Sequence, residues 1–353
     1  KHYDLLAQEL LEYYSGTSVA LYENGRTALS EAVRLTTKKG DKVAINGLTC
    51  HAVTQAVRSA GCEPVYVDIS RQDFNFDFSA LESALKKDST IRTLIIQNHL
   101  GITLDLKKLE KLQKIYNFKI IEDLAHCAGS HYPDGREVGT IGSATAMSFG
   151  KDKAIDTTRG GALIMRYEAP EILSVPKQKT ELTRSIRDRF YPILSWLIRK
   201  TYPIYIGKII SALAFRLKWI IRSADGSVRP QVRLSNWQAK LALKQFYGLK
   251  KTSRFRRKFA TRYNLSSDAS ILRIPILVRN RDQIFATLKK QGIFLDDTWY
   301  TIPVSPLRYY KKSGFQEKLC PVATMVASQI INLPLLNEDQ LSPIMDIIKE
   351  EKI

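Results

Sequence analysis

The residues with the most chemistry in them lie between Lys119 and Gly161. Two apolar runs of β character each end in reactive side chains. Ile120-Ile121 leads into Glu122-Asp123, with His126 three residues on. Ala144 to Phe149 carries Ser148, with Lys153 five residues after it, and the Gly160-Gly161 pair follows. A carboxylate at a buried strand end can hold a proton on a heterocycle. A lysine in a nearby turn can form a Schiff base with an aldehyde. Read alone, a lysine in the charged turn Lys151-Asp152-Lys153 is a solvated surface group, and a strand-end Asp caps the turn that follows it.

These groups need a scaffold that brings strand ends together. Lys1–Tyr14 has the spacing of an amphipathic helix. Val19–Tyr22 is a short apolar run that stops at Glu23-Asn24-Gly25-Arg26-Thr27, and helical spacing resumes from Ala28 to Leu35. A glycine turn opening a helix is either a plain cap or an anion site, because its first N–H groups lack helical acceptors. Strands are expected at Lys42–Ile45, Cys62–Ile69 and Thr93–Asn98, and helices from His51 to Ala60, at Phe78–Lys87 and at Leu106–Tyr116. His99-Leu100-Gly101 has the look of a structural turn. The alternation predicts a mainly parallel α/β sheet with ligands beyond the carboxyl ends of its strands. Further on, helices are expected at Trp237–Tyr247, Lys250–Arg262, Arg281–Gln291, Val322–Ile331 and Glu338–Lys349, with a strand in Ser270–Val278.

Three spaced elements, Glu122-Asp123-Leu124-Ala125-His126, Ser148-Phe149-Gly150-Lys151-Asp152-Lys153 and Gly160-Gly161, resemble the DegT/DnrJ/EryC1/StrS sugar aminotransferases. The resemblance extends over nearly the whole chain. It implies fold type I: a large, mainly parallel α/β domain at 1–176, a basic helical insert at 177–228, and a C-terminal part with a small α/β domain at 229–353. It also implies pyridoxal 5'-phosphate as cofactor. Lys153 would be the Schiff-base lysine, Asp123 the partner of the pyridine nitrogen, and His126 a neighbour of the ring. Ser148 and the Gly25-Arg26 backbone would cradle the phosphate, with Arg26 standing where the family has Thr and Thr27 able to supply the hydroxyl. Gln231 stands where the family has an Asn lent by a second subunit, which implies a homodimer with shared sites. Cys50 or His51 would fill the place of the family's ring-stacking aromatic. The implied reaction moves an amino group, with glutamate as donor, to a keto sugar, nucleotide-linked in most relatives. A dehydratase or lyase on the same fold, and a degenerate membrane-associated or regulatory protein, are the alternatives.

Bulk properties set outer limits. The chain has 353 residues and a net charge of +19. Four cysteines without CxxC spacing argue against a zinc site or a disulfide framework and favour a reducing cytosol. Lys1–Glu12 is polar and contains no signal-peptide core, so the expectation is a cytoplasmic protein, with peripheral contact at the inner membrane face as a further option. Lys177–Arg222 carries eleven Lys/Arg against two acids, with interleaved aromatics. It is too interrupted to span a bilayer. Two apolar helical pieces, Ile193–Ile198 and Ile204–Ile221, either pack on the core or a partner subunit with snorkelling cations, or lie in a membrane interface. No element that reads nucleic acid accompanies the charge.

Overall fold

The apolar runs assemble into one sheet, and the helical stripes cover both of its faces. The computed structural model describes residues 1–167, 175–295, 299–349 and 351–353. In chain order the first elements are α1 (His2–Tyr13), β1 (Ser18–Tyr22), α2 (Gly25–Thr36), β2 (Lys42–Asn46), β3 (Thr49–Cys50), α3 (His51–Ser59) and β4 (Glu63–Val67). Then come α4 (Phe78–Lys87), β5 (Ile91–Ile96), α5 (Leu106–Tyr116), β6 (Lys119–Asp123), β7 (Ala144–Ser148) and β8 (Gly161–Met165). The sheet order is β1-β8-β7-β6-β5-β2-β4, and only β8 runs against its neighbours. The strands are almost wholly buried because α1, α4 and α5 pack on one face and α2 and α3 on the other, as a parallel sheet requires.

The remaining elements are α6 (Leu182–Thr201), α7 (Ile206–Arg216), α8 (Asn236–Tyr247), α9 (Leu249–Arg262), β9 (Arg273–Leu277), α10 (Arg281–Lys290), β10 (Val304–Ser305), α11 (Leu307–Ser313), α12 (Pro321–Gln329), β11 (Ile330–Pro334) and α13 (Glu338–Lys349). Antiparallel β9 and β11 share a third apolar core with α10, α12 and α13. The C-terminal part is fastened to the sheet at defined points. The Asp68 carboxylate accepts the Val322 and Ala323 N–H groups at 3.0 and 2.9 Å, capping α12. Short strand β10 pairs with β3.

Several expected boundaries change, two of them for a visible physical reason. The Val322–Ile331 helix ends at Gln329, because Ile330 and Ile331 pair with Leu277 and Ile276 as the start of β11. The first basic helix is far longer than Ile193–Ile198 and runs through Pro192. A proline cannot donate to the carbonyl four residues back. The Asp188 carbonyl takes the Thr158 hydroxyl at 3.5 Å instead. Among the described residues, no helix is long and apolar enough to cross a membrane.

Helix α6 is tied to the sheet domain by charge. Arg159 makes a forked contact with Asp188, with nitrogens at 3.0 and 2.8 Å from Oδ2. The buried Glu23 draws Arg159, Arg184 and Arg229 to within 3.8, 3.4 and 3.5 Å. Both Arg159 and Asp188 are largely shielded, so removing one partner strands the other. Arg159→Ala is expected to raise the rate of limited tryptic cleavage within 177–222 by about tenfold or more, while the melting of the sheet domain moves little. Unchanged cleavage would show that the knot does not hold the helix.

Candidate active site

The carboxyl ends of β1, β6 and β7 and the start of β8 meet at one edge, because β8 runs opposite to the others. Register places Ser148 opposite Gly161, Tyr22 opposite Gly161, and Asp123 opposite Ala146. Gly25 and Gly161 are glycines because the backbones touch here. A Cβ on Gly25 would lie 2.6 Å from the Ser148 Cβ, and one on Gly161 would lie 2.5 Å from the Gly25 Cα. The turn opening α2 thus closes directly onto the end of β7. Asn24 caps it, its Oδ1 accepting the Thr27 N–H at 2.8 Å, which leaves first-turn donors for an anion.

Behind this edge, Glu122 builds the floor. Its carboxylate accepts the N–H groups of Gly139, Ile141 and Gly142 at 2.6, 2.8 and 2.7 Å and the Tyr132 hydroxyl at 3.0 Å. Every partner is a donor, so the charged carboxylate is the form that fits, although burial pushes its pKa upward. Glu122→Gln puts an amide NH₂ against N–H groups. It is expected to cost about 2–4 kcal/mol of unfolding free energy in denaturant melts. A loss below ~1 kcal/mol would refute this account of the floor.

Asp123 faces the site from the end of β6. Burial raises its pKa to about 6, against the Ala125 N–H, which it accepts at 3.0 Å, and against nearby Lys153. Lys153 is half-buried, and desolvation holds its amine below the usual lysine range, opposed by Cys50 and Asp123. The lysine turn is bent to achieve this: Asp152 adopts a left-handed backbone (φ 61°), at a cost of about 1–3 kcal/mol. The neighbouring Lys151 goes elsewhere. Its Nζ lies 3.5 Å from the Tyr191 ring centroid on α6, and burial lowers its pKa to about 8. The geometry therefore sets Lys153, not Lys151, beside Asp123.

His126 is half-buried, and desolvation together with Lys153 holds its imidazole well below the usual range, so it is neutral. It pairs with the Tyr300 hydroxyl at 3.1 Å and stacks on Trp299, with centroids 4.5 Å apart and planes 14° apart. Lys153 Nζ and the Arg273 guanidinium lie 4.9 and 4.4 Å from Trp299 rings. His99, expected only to shape a turn, lies 6.3 Å from His126 and 5.4 Å from Tyr300 between ring centroids, with burial lowering its pKa to about 4. Trp299 and Arg273 thus join the site without having been singled out in the sequence, and His99 joins it although its sequence reading was a turn residue only.

Other expected residues fall differently. The Arg26 guanidinium reaches the carbonyls of Gly226 and Ala224, the latter at 3.3 Å. The Thr27 hydroxyl is engaged within the chain, donating to Asn24 Oδ1 at 3.0 Å and accepting the Arg229 N–H at 3.0 Å. His51 stacks on Tyr309 at 4.1 Å, which leaves Cys50 within electrostatic range of Lys153, Arg26 and Tyr300. The Gln231 side chain is exposed, and its carbonyl accepts the Gln178 N–H at 2.9 Å. Among the described residues, no contact within one chain links Gln231 to Lys153.

The site suits pyridoxal phosphate. A backbone cradle that a single Cβ would fill, a half-buried amine of lowered basicity and a carboxyl of raised pKa occupy one edge. Comparison with known proteins agrees. The DegT/DnrJ/EryC1/StrS aminotransferase family model matches residues 1–172 and 224–350. Protein MJ1066 of Methanocaldococcus jannaschii is 24% identical over 353 residues, covering 98% of this chain and 88% of its own. The dTDP-4-amino-4,6-dideoxy-D-glucose transaminase of Escherichia coli is 25% identical over 345 residues, covering 95% and 85%. The fold matches Spr1654 from Streptococcus pneumoniae in its PLP form, with TM-score 0.70 and 22% identity over 99% of this chain and 91% of that one. The chain belongs to the DegT/DnrJ/EryC1/StrS family and is a pyridoxal-phosphate-dependent aminotransferase.

Proposed function

We propose that the enzyme transfers an amino group from glutamate to a nucleotide-diphosphate-linked keto sugar, with Lys153 as the catalytic lysine. The observation that carries this reading is the half-buried Lys153, lowered in pKa, next to Asp123 with its pKa raised to about 6. Pyridoxal phosphate supplies the electron sink that stabilises negative charge at the substrate carbon. Lys153 Nζ, deprotonated more easily than a free lysine, accepts and returns the proton at the carbon that loses or gains nitrogen. Asp123 holds the proton on the ring nitrogen. His126, neutral and fixed by Tyr300, orients the ring by contact and hydrogen bonding rather than by charge. The Gly25-Arg26 backbone and Ser148 hold the phosphate. Gln231, exposed in the single chain, completes that cradle from a second subunit, so the working unit is a homodimer. The net charge of +19 favours an acceptor that carries a diphosphate.

The test supplies pyridoxal phosphate, L-glutamate and a panel of nucleotide-linked keto sugars, and follows 2-oxoglutarate and amino-sugar mass. Formation of both products together, lost in Lys153→Ala, supports the proposal. Loss of oxygen from the sugar without gain of nitrogen would replace it with a dehydratase.

A further inference from the structure

Helices α6 and α7 wear their amphipathicity the wrong way round for a globular protein. A surface helix ordinarily buries its apolar stripe and shows water its polar side. Helix α6 docks through polar groups: Asp188 to Arg159, Arg184 to Glu23, and the Ser185 hydroxyl, which accepts the Trp237 indole N–H at 3.2 Å. Its apolar stripe, Leu182, Ile186, Phe190, Ile193 and Leu197, is exposed, with Leu182 at 75% and Ile193 at 63%. Helix α7 continues the pattern with Ile206, Ile209 and Leu213, Ile209 at 62%. None of the three apolar cores takes a residue from 177–222. The family match skips 173–223, so this hairpin lies outside the shared aminotransferase framework.

The charge selects the occupant. From Arg189 to Arg222 the chain has seven Lys/Arg and no acid. Lys200, Lys208 and Arg222 sit over the rings of Trp196, Tyr205 and Phe215 at 5.0, 4.1 and 4.8 Å. Cations whose stems lie along exposed aromatics beside a bare apolar stripe match the interface of an anionic bilayer, where headgroups meet the charge and acyl chains the stripe. A two-fold contact of the Arg189–Arg222 stretch with its own copy would bring cations against cations, with no acid inside the stretch to compensate. We infer that the α6–α7 hairpin is a peripheral membrane anchor, lying in the headgroup region of an anionic phospholipid surface without crossing it.

The experiment uses the full chain loaded with pyridoxal phosphate, and vesicles of phosphatidylcholine alone or mixed with phosphatidylglycerol. Binding is read by co-sedimentation and by quenching of Trp196 and Trp219 with brominated lipid. The expected result is binding to the anionic vesicles only, weakened by added salt. Ile193→Glu with Ile209→Glu is expected to lower vesicle affinity at least about tenfold. Arg199→Glu with Lys200→Glu, which leaves the stripe intact, is expected to weaken binding to anionic vesicles severalfold. Circular dichroism and bound-cofactor absorbance confirm that each variant is folded. No binding to anionic vesicles, or equal binding by the folded stripe variant, overturns the inference. So does a stripe variant that instead splits an oligomer or releases an acidic protein partner. Vesicle binding is read without turnover, so its failure is separate from failure of the proposed reaction.

Discussion

Lys153→Ala is expected to lower the rate of amino transfer by about 10⁴-fold or more without unfolding the protein. The side chain is half-buried, sits 4.9 Å from the Trp299 ring and lies near the Arg273 cation. Nothing else in the cluster can replace it. Lys151 is held against Tyr191, His126 is fixed by Tyr300 and Trp299, and the Arg273 guanidinium has no acceptor lone pair to offer. The stability effect has the opposite sense to most core substitutions. The folded state holds the Lys153 proton less tightly than the unfolded chain does. Its destabilising contribution is therefore absent above pH 10.5, the ordinary value, and grows as the pH falls toward the lowered folded value. At neutral pH, the cofactor-free Lys153→Ala protein is expected to melt no lower than the parent, and Lys151→Ala to keep most of the activity. Single-turnover rates and thermal melts of both variants check this. A Lys151→Ala protein as inactive as Lys153→Ala would reassign the catalytic amine.

Asp123→Asn is expected to reduce turnover by about 10²- to 10³-fold, the scale on which loss of one preorganised electrostatic partner is felt. It also alters the pH dependence of the cofactor-free protein. Burial raises the folded Asp123 pKa to about 6 from 3.8, so between these values the folded state binds the proton more tightly than the unfolded chain. Unfolding free energy from this residue is therefore largest below about pH 4 and falls as pH rises to about 6, by up to ~3 kcal/mol. The Asn variant lacks this slope. Melting the two cofactor-free proteins across that window gives the comparison; parallel curves would mean that Asp123 is not strained by burial. A cation paired with Asp123 reverses the balance, so cofactor binding is expected to flatten the parent's curve.

Much of this site could be read from the chain because strands declare their ends. Ile120-Ile121 and Ala144–Met147 are short buried runs, so Asp123 and Ser148 had to emerge at an edge, whereas Lys153 was picked out by the family resemblance and not by the residues alone. Arg273, His99 and Trp299 reach the same place through folding of distant segments, and periodicity carries no information about such meetings. The hairpin shows a different limit. Its two-sided composition was evident, but not which side would meet the protein, because that choice depends on Arg159 and Glu23, single charges in other segments. The fate of Thr27 was equally hidden, since its hydroxyl is taken by a backbone N–H from Arg229.

The turn from Lys151 to Arg159 serves two structures at once. One end carries Lys153. The other carries Thr158 and Arg159, which grip α6, while Lys151 lies under Tyr191. Lys153 and the basic hairpin are therefore expected to share one opening reaction, their amides exchanging with solvent as a unit. A ligand that immobilises the turn slows exchange at the root of the hairpin. By reciprocity, a surface that clamps the hairpin tightens the same ligand by an equal factor.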